Sequence, residues 1–283
     1  MSSYEVSPER LGPKIYHDTT PPGLIMESFD QTLQSRVLNP VIDPTATKML
    51  QFLRRTWQHQ GSTVILGSGV FDLMHQNHFA SFIHARWIGT RYHYEKTAAD
   101  ATGIQWGELT NEQQSTYFTK VNVEGEIRLI ESIDGNLSVT ERKSNQDNRG
   151  NNRPILDWST RATSVLSAAF APDGKTPVSL VDAVTIHDVV DSRLAGTPHQ
   201  NLIDLATYVQ PDVWAVYCES HDTIEALQER EQNHALRNTT VGIMPAHKFY
   251  SDELLGNIKT SSIEQRIMGM LPGICGQAND SLQ

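Results

Sequence analysis

One segment in the first third of the chain constrains the fold more than any other. Residues 63–67 form a mostly β-branched and apolar run that ends in a glycine turn, as expected of a strand. Residues 78–88 then carry apolar side chains at helical spacing, with Gly89 as the expected stop. His75 and His78 lie three residues apart where that helix is expected to begin. Such a strand–turn–helix unit directs backbone N–H groups and the positive helix end at one point, which suits phosphate.

The bulk composition limits the classes of partner. At 283 residues the chain holds one large domain, or one domain with extensions, and its net charge of -10 argues against a general nucleic-acid binder. The two cysteines, Cys218 and Cys275, are far apart in sequence, which predicts neither a disulfide framework nor a zinc site. No apolar run reaches about 18 residues and no signal peptide is evident, so we expect a cytoplasmic protein that spans no membrane.

The pattern along the chain predicts three parts. Residues 1–60 form an N-terminal extension with one amphipathic helix at 43–57, and residues 273–283 form a C-terminal tail. The main domain is expected at 61–272, with an insertion at about 91–125 that is polar and longer than an ordinary connection.

Strands and helices alternate through the main domain. Further strands are predicted at 126–133, 181–186, 213–218 and 239–244, and further helices at 157–170, 199–209, 222–233 and 260–270. This alternation predicts a Rossmann-like α/β fold, in which helices flank both faces of a mostly parallel sheet. Ligands in such sheets bind outside the carboxyl ends of the strands, which is where the histidine pair is expected.

The segment 67–78, Gly-Ser-Gly-Val-Phe-Asp-Leu-Met-His-Gln-Asn-His, resembles the signature of the HxGH nucleotidyltransferases, Gly-x-Phe-Asp-x-x-His-x-Gly-His. Asn77 stands where that family has a glycine, which lets the backbone approach the nucleotide closely. Because Asn tolerates a left-handed conformation better than most residues, we expect Asn77 to keep the backbone path while its side chain crowds the nucleotide.

Later motifs are most similar to the heptose-phosphate adenylyltransferase branch of that superfamily. They occur in the family's order at Asn152–Pro154, Arg161–Leu166, Val181–Val184, Leu202–Ile203 and Val209–Val213. Lys259–Ile267 is similar to the family's Ser-Thr-x-x-Ile-Ile-x-Arg-Ile motif, with Lys259 and Glu264 as departures. The resemblance covers roughly residues 62–90 and 126–270.

The resemblance implies a reaction and a set of site residues. An acceptor phosphate would attack the α-phosphate of a nucleoside triphosphate, and pyrophosphate would leave. Catalytic roles would fall to His75, His78 and Arg266, and Asp72 would face the acceptor substrate. Nucleotide binding would involve Ser68, Gly69, Val70, Phe71, Lys143, Thr260 and Ser261.

The resemblance also implies the ligands. A magnesium ion would bridge the phosphates, with no dedicated protein metal ligands. ATP is favoured over CTP because Glu253–Ile258 replaces the Arg-Thr-Glu-Gly run of the cytidylyltransferases. The expected partners are the nucleoside triphosphate and a small phosphorylated substrate such as a sugar phosphate, with no nucleic acid, no membrane, and a homodimer as the candidate assembly.

Several alternatives stay open from the residues alone. The His-x-x-His pair also suits a metal ion, although no third ligand is evident. Asp72 could cap the helix, and an aromatic group could either cover the site or pack the insertion; this group comprises Trp87, Tyr92, Tyr94 and Trp106. A regulatory or scaffold protein that binds nucleotide without turnover is the alternative function. A hydrolase of a nucleotide anhydride is a third, but it needs an activated water and no carboxylate pair for one is evident.

Overall fold

The computed structural model describes residues 37–38, 45–140, 154–187, 200–218 and 239–245. The first half comprises β1 (Val37–Leu38), α1 (Thr45–His59), β2 (Thr63–Gly69), α2 (Gln76–Thr97), α3 (Ala99–Thr102), a 3-10 turn (Trp106–Glu108), α4 (Asn111–Val123) and β3 (Ile127–Asp134). The second half comprises α5 (Trp158–Leu166), β4 (Ala169–Phe170), β5 (Val178–Ser179), β6 (Ala183–His187), α6 (Gln200–Val209), β7 (Val213–Cys218) and β8 (Thr240–Pro245).

Six strands form one parallel sheet in the order β1-β6-β3-β2-β7-β8. The central strand β2 pairs with β3 on one side and with β7 on the other, so Leu66 lies between Ile130 and Trp214. From β2 the chain first builds outward through β3 and β6, and it then returns to add β7 and β8 on the opposite side. This reversal is the switch point of a doubly wound sheet, and it confirms the predicted α/β fold.

The sheet is buried on both faces because its strands alternate side chains between two apolar layers. The first layer lies under α2 and α5 and includes Ile65, Phe82, Leu129, Val165 and Val184. The second layer lies under α1 and α6 and includes Leu50, Trp57, Leu66, Ile130, Val209 and Trp214. Helix α1, predicted at 43–57, therefore covers one face of the sheet. No helix among the described residues is long and apolar enough to cross a membrane.

Helix α2 is longer than its sequence pattern predicts. It continues through Gly89 to Thr97, so the predicted stop at Gly89 is wrong. Gly89 is buried where α2 crosses the sheet, and a β-carbon there would collide with the side chain of Ile65. The helix tolerates the roughly 1 kcal/mol propensity cost of glycine because only glycine permits this close approach.

The polar region at 91–125 is largely helical, although it has no strong sequence pattern. The last turns of α2, α3, the 3-10 turn and α4 enclose an aromatic cluster. The ring of Trp106 lies 5.6 Å from that of Trp87 and 5.5 Å from that of Tyr94. Trp87, Tyr94 and Trp106 therefore pack this region, whereas Tyr92 packs against the main core.

A fully buried arginine ties this region to the sheet. Arg86 of α2 donates to Asn122 Oδ1 of α4 at 2.9 Å and to the carbonyl oxygen of Ile127 at 3.0 Å. It also donates to the carbonyl oxygens of Ser179 and Leu180, and to Asp182 Oδ2 at 2.6 Å. These bonds satisfy the guanidinium where it is only 1% exposed.

Other predicted boundaries agree with the structure to within a few residues, with one exception. The helix predicted at 157–170 ends at Leu166, and β4 then pairs with β5 in a separate antiparallel ribbon. Its predicted start is confirmed, because the Asp157 carboxylate accepts from the N–H groups of Ser159 and Thr160. The helices predicted at 222–233 and 260–270 lie outside the described residues.

Candidate functional site

The loop of residues 70–75 connects β2 to α2 at the carboxyl end of the central strand. Within it, Phe71 has a left-handed backbone, with φ of 51°, which is strained for a bulky residue. Its ring lies over Gly69, where a β-carbon would come within 2.6 Å of the ring. The same ring contacts His78 edge-on at a centroid distance of 5.1 Å and Phe82 at 5.2 Å. Because Gly69 has no side chain, the ring of Phe71 can occupy this space.

His75 and His78 form a stacked pair at the start of α2. Their rings are 3.8 Å apart and inclined by 25°. His75 is the N-cap residue, and its extended backbone lets its N–H reach His78 Nδ1 at 3.4 Å. Because Nδ1 of His78 accepts this hydrogen bond, the proton of its neutral ring belongs on Nε2.

Burial keeps both imidazoles uncharged at neutral pH. Burial, followed by the neighbouring His75, lowers the pKa of His78 to about 3. Burial also lowers the pKa of His75. Nδ1 of His75 is enclosed and has no hydrogen-bond partner. The pair can therefore donate hydrogen bonds to an anion as neutral rings, and an anion placed against them would raise both pKa values.

Asn77 is the second residue of α2 and has the backbone of a right-handed helix, so its tolerance of a left-handed conformation is not used here. The left-handed position of this segment is Phe71, on the other side of the histidine pair. The helical backbone at Asn77 thus does not require the conformational freedom of glycine.

Asp72 lies away from the position expected of a group that faces substrate. Its side chain is 1% exposed, and its two oxygens accept from the backbone N–H groups of Ile155 at 3.1 Å and Leu156 at 3.0 Å. It does not cap α2, because His75 holds that position. This placement does not support the expected substrate contact and makes Asp72 an anchor for a distant segment.

Arg161 of α5 is also fully buried and points at the same loop. It donates to the carbonyl oxygen of Val70 at 2.7 Å, to that of Leu156 at 3.0 Å and to Asn136 Oδ1 at 2.9 Å. In the structure its donors are directed at protein oxygens.

Two polar groups near the carboxyl ends of the strands are absent from the sequence-based predictions. Glu131 of β3 is 3% exposed, and burial raises its pKa well above the ordinary value. Its carboxyl fills the space that a side chain at Gly67 would need. The available signal was a glutamate within the strand, directly after the apolar pair Leu129–Ile130.

The second group lies on the other face of the sheet. His187 Nδ1 is 2.6 Å from Ser132 Oγ, and His187 Nε2 is 2.5 Å from Asp134 Oδ1. His187 is buried, at 7% exposure. The register places Ser132 beside Ser68 on the neighbouring strand.

The structure brings together part of the predicted site. Ser68, Gly69, Val70, Phe71, His75 and His78 all lie in one strand–loop–helix unit. Lys143, Thr260, Ser261 and Arg266 lie outside the described residues. Within the described ranges, no group of three His, Cys, Asp or Glu side chains is placed to hold a metal ion.

Comparison with known proteins gives a distant structural likeness. No family model matches the chain, and no curated protein matches it. Among solved structures, the chain is similar to the lipopolysaccharide core biosynthesis protein from Thermoplasma volcanium GSS1, with 14% identity and a TM-score of 0.36. The match covers 67% of this chain and 100% of that protein.

Proposed function

We propose that this protein is a nucleotidyltransferase that moves a nucleoside monophosphate from ATP, or from CTP, to a small phosphorylated acceptor such as a sugar phosphate. The observation that carries the proposal is the stacked His75–His78 pair at the N-terminus of the 22-residue helix α2. That helix end lies at the carboxyl end of the central strand, beside the switch point where doubly wound sheets bind ligands. Helix N-termini favour anions, which is the charge of the proposed ligand.

The proposed reaction is an in-line displacement at the α-phosphorus. An acceptor phosphate oxygen forms the new P–O bond, and the bond to the β-phosphate breaks, so that pyrophosphate leaves with the electron pair. The acceptor oxygen is already anionic and requires no general base. Positioning and stabilisation of the developing charge therefore supply most of the rate enhancement, as in other phosphoryl-type transfers.

The histidine pair has a definable role in that displacement. His78 Nε2–H is the donor that would face a phosphate oxygen, because its Nδ1 is taken by the N–H of His75. A neutral donor in an enclosed site strengthens its hydrogen bond as negative charge accumulates in the transition state. Uptake of a proton by the pair would add charge stabilisation once the nucleotide has raised the two pKa values.

Other groups complete the proposed site. The half-buried Ser68, Gly69 and Val70, together with the buried Phe71, would offer backbone groups to the phosphates. We extend the proposal to Lys143, Thr260, Ser261 and Arg266 on the strength of the sequence resemblance. Magnesium would arrive with the nucleotide phosphates, because it binds through phosphate oxygens and water more readily than through dedicated protein cages.

The test is pyrophosphate release from ATP and CTP in the presence of a panel of sugar and alcohol phosphates. We expect release with at least one acceptor, and its loss in His78→Asn. His84→Asn is the matched control, because His84 lies on the same helix and burial lowers its pKa to about 4. Wild-type rates from His78→Asn would refute the assignment. Nucleotide-induced stabilisation without pyrophosphate release from any acceptor would instead indicate a nucleotide-binding regulatory or scaffold protein.

A further inference from the structure

We propose that Asp72 and Arg161 are paired positioning residues that fix Phe71 between them and so hold the loop of residues 70–75 in the shape that phosphate binding requires. Neither side chain contacts substrate in this proposal. The identity of the ligand rests on the proposed function above. The geometry rests on hydrogen bonds between the loop and residues 154–161, which come from a distant part of the chain.

Asp72 forms the bond on one side of Phe71. Its two carboxylate oxygens accept from the N–H groups of Ile155 and Leu156, at 3.1 and 3.0 Å. Hydrogen bonds to an ionised acceptor are about twice as strong as those between neutral groups. With the side chain only 1% exposed, water cannot replace these donors without opening the loop.

Arg161 forms the bond on the other side of Phe71. Its guanidinium donates to the carbonyl oxygen of Val70 at 2.7 Å and to that of Leu156 at 3.0 Å. Leu156 thus accepts from Arg161 through its oxygen and donates to Asp72 through its nitrogen. Together with the backbone of Phe71, these hydrogen bonds join Val70, Asp72, Leu156 and Arg161 into a closed ring.

The strained backbone of Phe71, which is part of that ring, explains why the loop depends on these hydrogen bonds. A left-handed backbone is strained for phenylalanine, and such a conformation persists only where its surroundings fix it. If either bond is lost, Phe71 can relax and its ring leaves the edge of His78, 5.1 Å away. The histidine pair then loses the packing that orients it towards a phosphate.

The experiment compares Asp72→Asn and Arg161→Lys with Arg86→Lys in the full-length chain. Asp72→Asn keeps the shape of the side chain, but its amide cannot accept hydrogen bonds at both terminal atoms as the carboxylate does. Arg161→Lys keeps the charge but lacks the planar guanidinium that donates to Val70 and Leu156. Arg86 is the matched control because it is 1% exposed, donates to the carbonyl oxygens of Leu180 and Ile127, and makes no bond to the loop. Two readouts are measured: hydrogen–deuterium exchange of a peptide spanning 68–79, and thermal stabilisation by magnesium-ATP.

We expect all three variants to be less stable than the wild type. Asp72→Asn and Arg161→Lys should in addition loosen the loop of residues 70–75. Exchange in the 68–79 peptide should accelerate by about tenfold or more in Asp72→Asn and Arg161→Lys, relative to a peptide from β6. The apparent affinity for ATP should fall by about tenfold in the same two variants. Arg86→Lys should show neither change.

The outcomes separate this proposal from the proposed function. Loop exchange that is unchanged, or equally raised in Arg86→Lys, overturns the positioning role whether or not the protein binds ATP. Faster loop exchange with unchanged ATP stabilisation overturns its link to phosphate binding. A wild-type chain that binds no nucleoside triphosphate refutes the proposed function, while the exchange data still decide the role of Asp72 and Arg161. Should Arg161→Lys not fold, Asp72→Asn decides the question alone.

Discussion

At the scale of single residues, the distinctive feature is an imidazole that burial keeps neutral. The pKa of His78 is lowered to about 3, whereas an imidazole in the unfolded chain titrates near 6.5. Between these values the unfolded chain binds a proton that the folded chain does not. The contribution of this group to stability is therefore fully present above the unfolded pKa and is lost progressively as the pH falls towards 3.

The lowered pKa of His78 therefore makes the free energy of unfolding fall measurably as the pH decreases. The difference in unfolding free energy between wild type and His78→Asn should change by roughly 1–2 kcal/mol from pH 7 to pH 5, with the wild type losing more. Urea unfolding at the two pH values measures it, and comparison of the two proteins cancels the titration of other groups. An identical pH dependence in both proteins would show that His78 titrates normally.

Asn77 supports a second prediction at this scale. Because Asn77 already has helical backbone geometry, glycine there gains no conformational advantage and adds backbone freedom to the unfolded chain. We expect Asn77→Gly to lower the unfolding free energy by about 0.5 kcal/mol and to keep or raise the rate of pyrophosphate release. A large fall in that rate would assign the asparagine a role of its own.

At the scale of elements, local pattern predicted the strands well because buried strands are short runs of apolar and β-branched residues. The run at 213–218 is a strand with the predicted bounds, and Asp157 caps α5 as its position suggests. The extent of α2 was not predictable in this way, since Gly89 signals a stop unless its packing against Ile65 is known. The role of Asp72 was equally hidden, because its partners are Ile155 and Leu156, more than 80 positions away.

The crossing of α2 over β2 gives a prediction for these elements. Gly89→Ala should destabilise the protein by about 1–3 kcal/mol through overpacking, although alanine is the better helix former. Ile65→Val removes the Cδ1 atom that a side chain at Gly89 would meet, so the double variant should recover part of that loss. Gly107→Ala is the control, because nothing lies within 4 Å of its missing β-carbon. Thermal unfolding of the wild type and the four variants measures the effect, and equal losses at both glycines would contradict it.

At the scale of the whole molecule, the sheet order places the histidine loop at the switch point, and the helices at 91–125 support the same core. Val121 of α4 is fully buried in the layer that contains Ile65 and Leu129. The sequence predicts the alternation that produces this sheet, but not that a polar segment contributes to its core. The few apolar residues of the segment 91–125 have no periodic spacing that predicts which core residues they contact.

Two valines on α4 test that contribution. Val121→Ala should lower the unfolding free energy by about 1–3 kcal/mol, because it leaves a cavity in the main core. Val123→Ala, at a side chain that is 40% exposed, should change it by less than about 0.5 kcal/mol. Chemical denaturation of both variants provides the comparison, and a negligible effect at Val121 would mean that these helices fold apart from the sheet.

The most direct measurement of the central claim is NMR of the protein with ¹⁵N-labelled histidine rings, titrated with magnesium-ATP and magnesium-CTP. If the stacked imidazoles receive the nucleotide phosphates, the ring nitrogens of His75 and His78 will shift on binding and their pKa values will rise. Spectra of His75→Asn and His78→Asn assign the two rings, and His84 provides the internal reference on the same helix. Saturating nucleotide that leaves the rings of both His75 and His78 unperturbed, in shift and in titration, would contradict the claim.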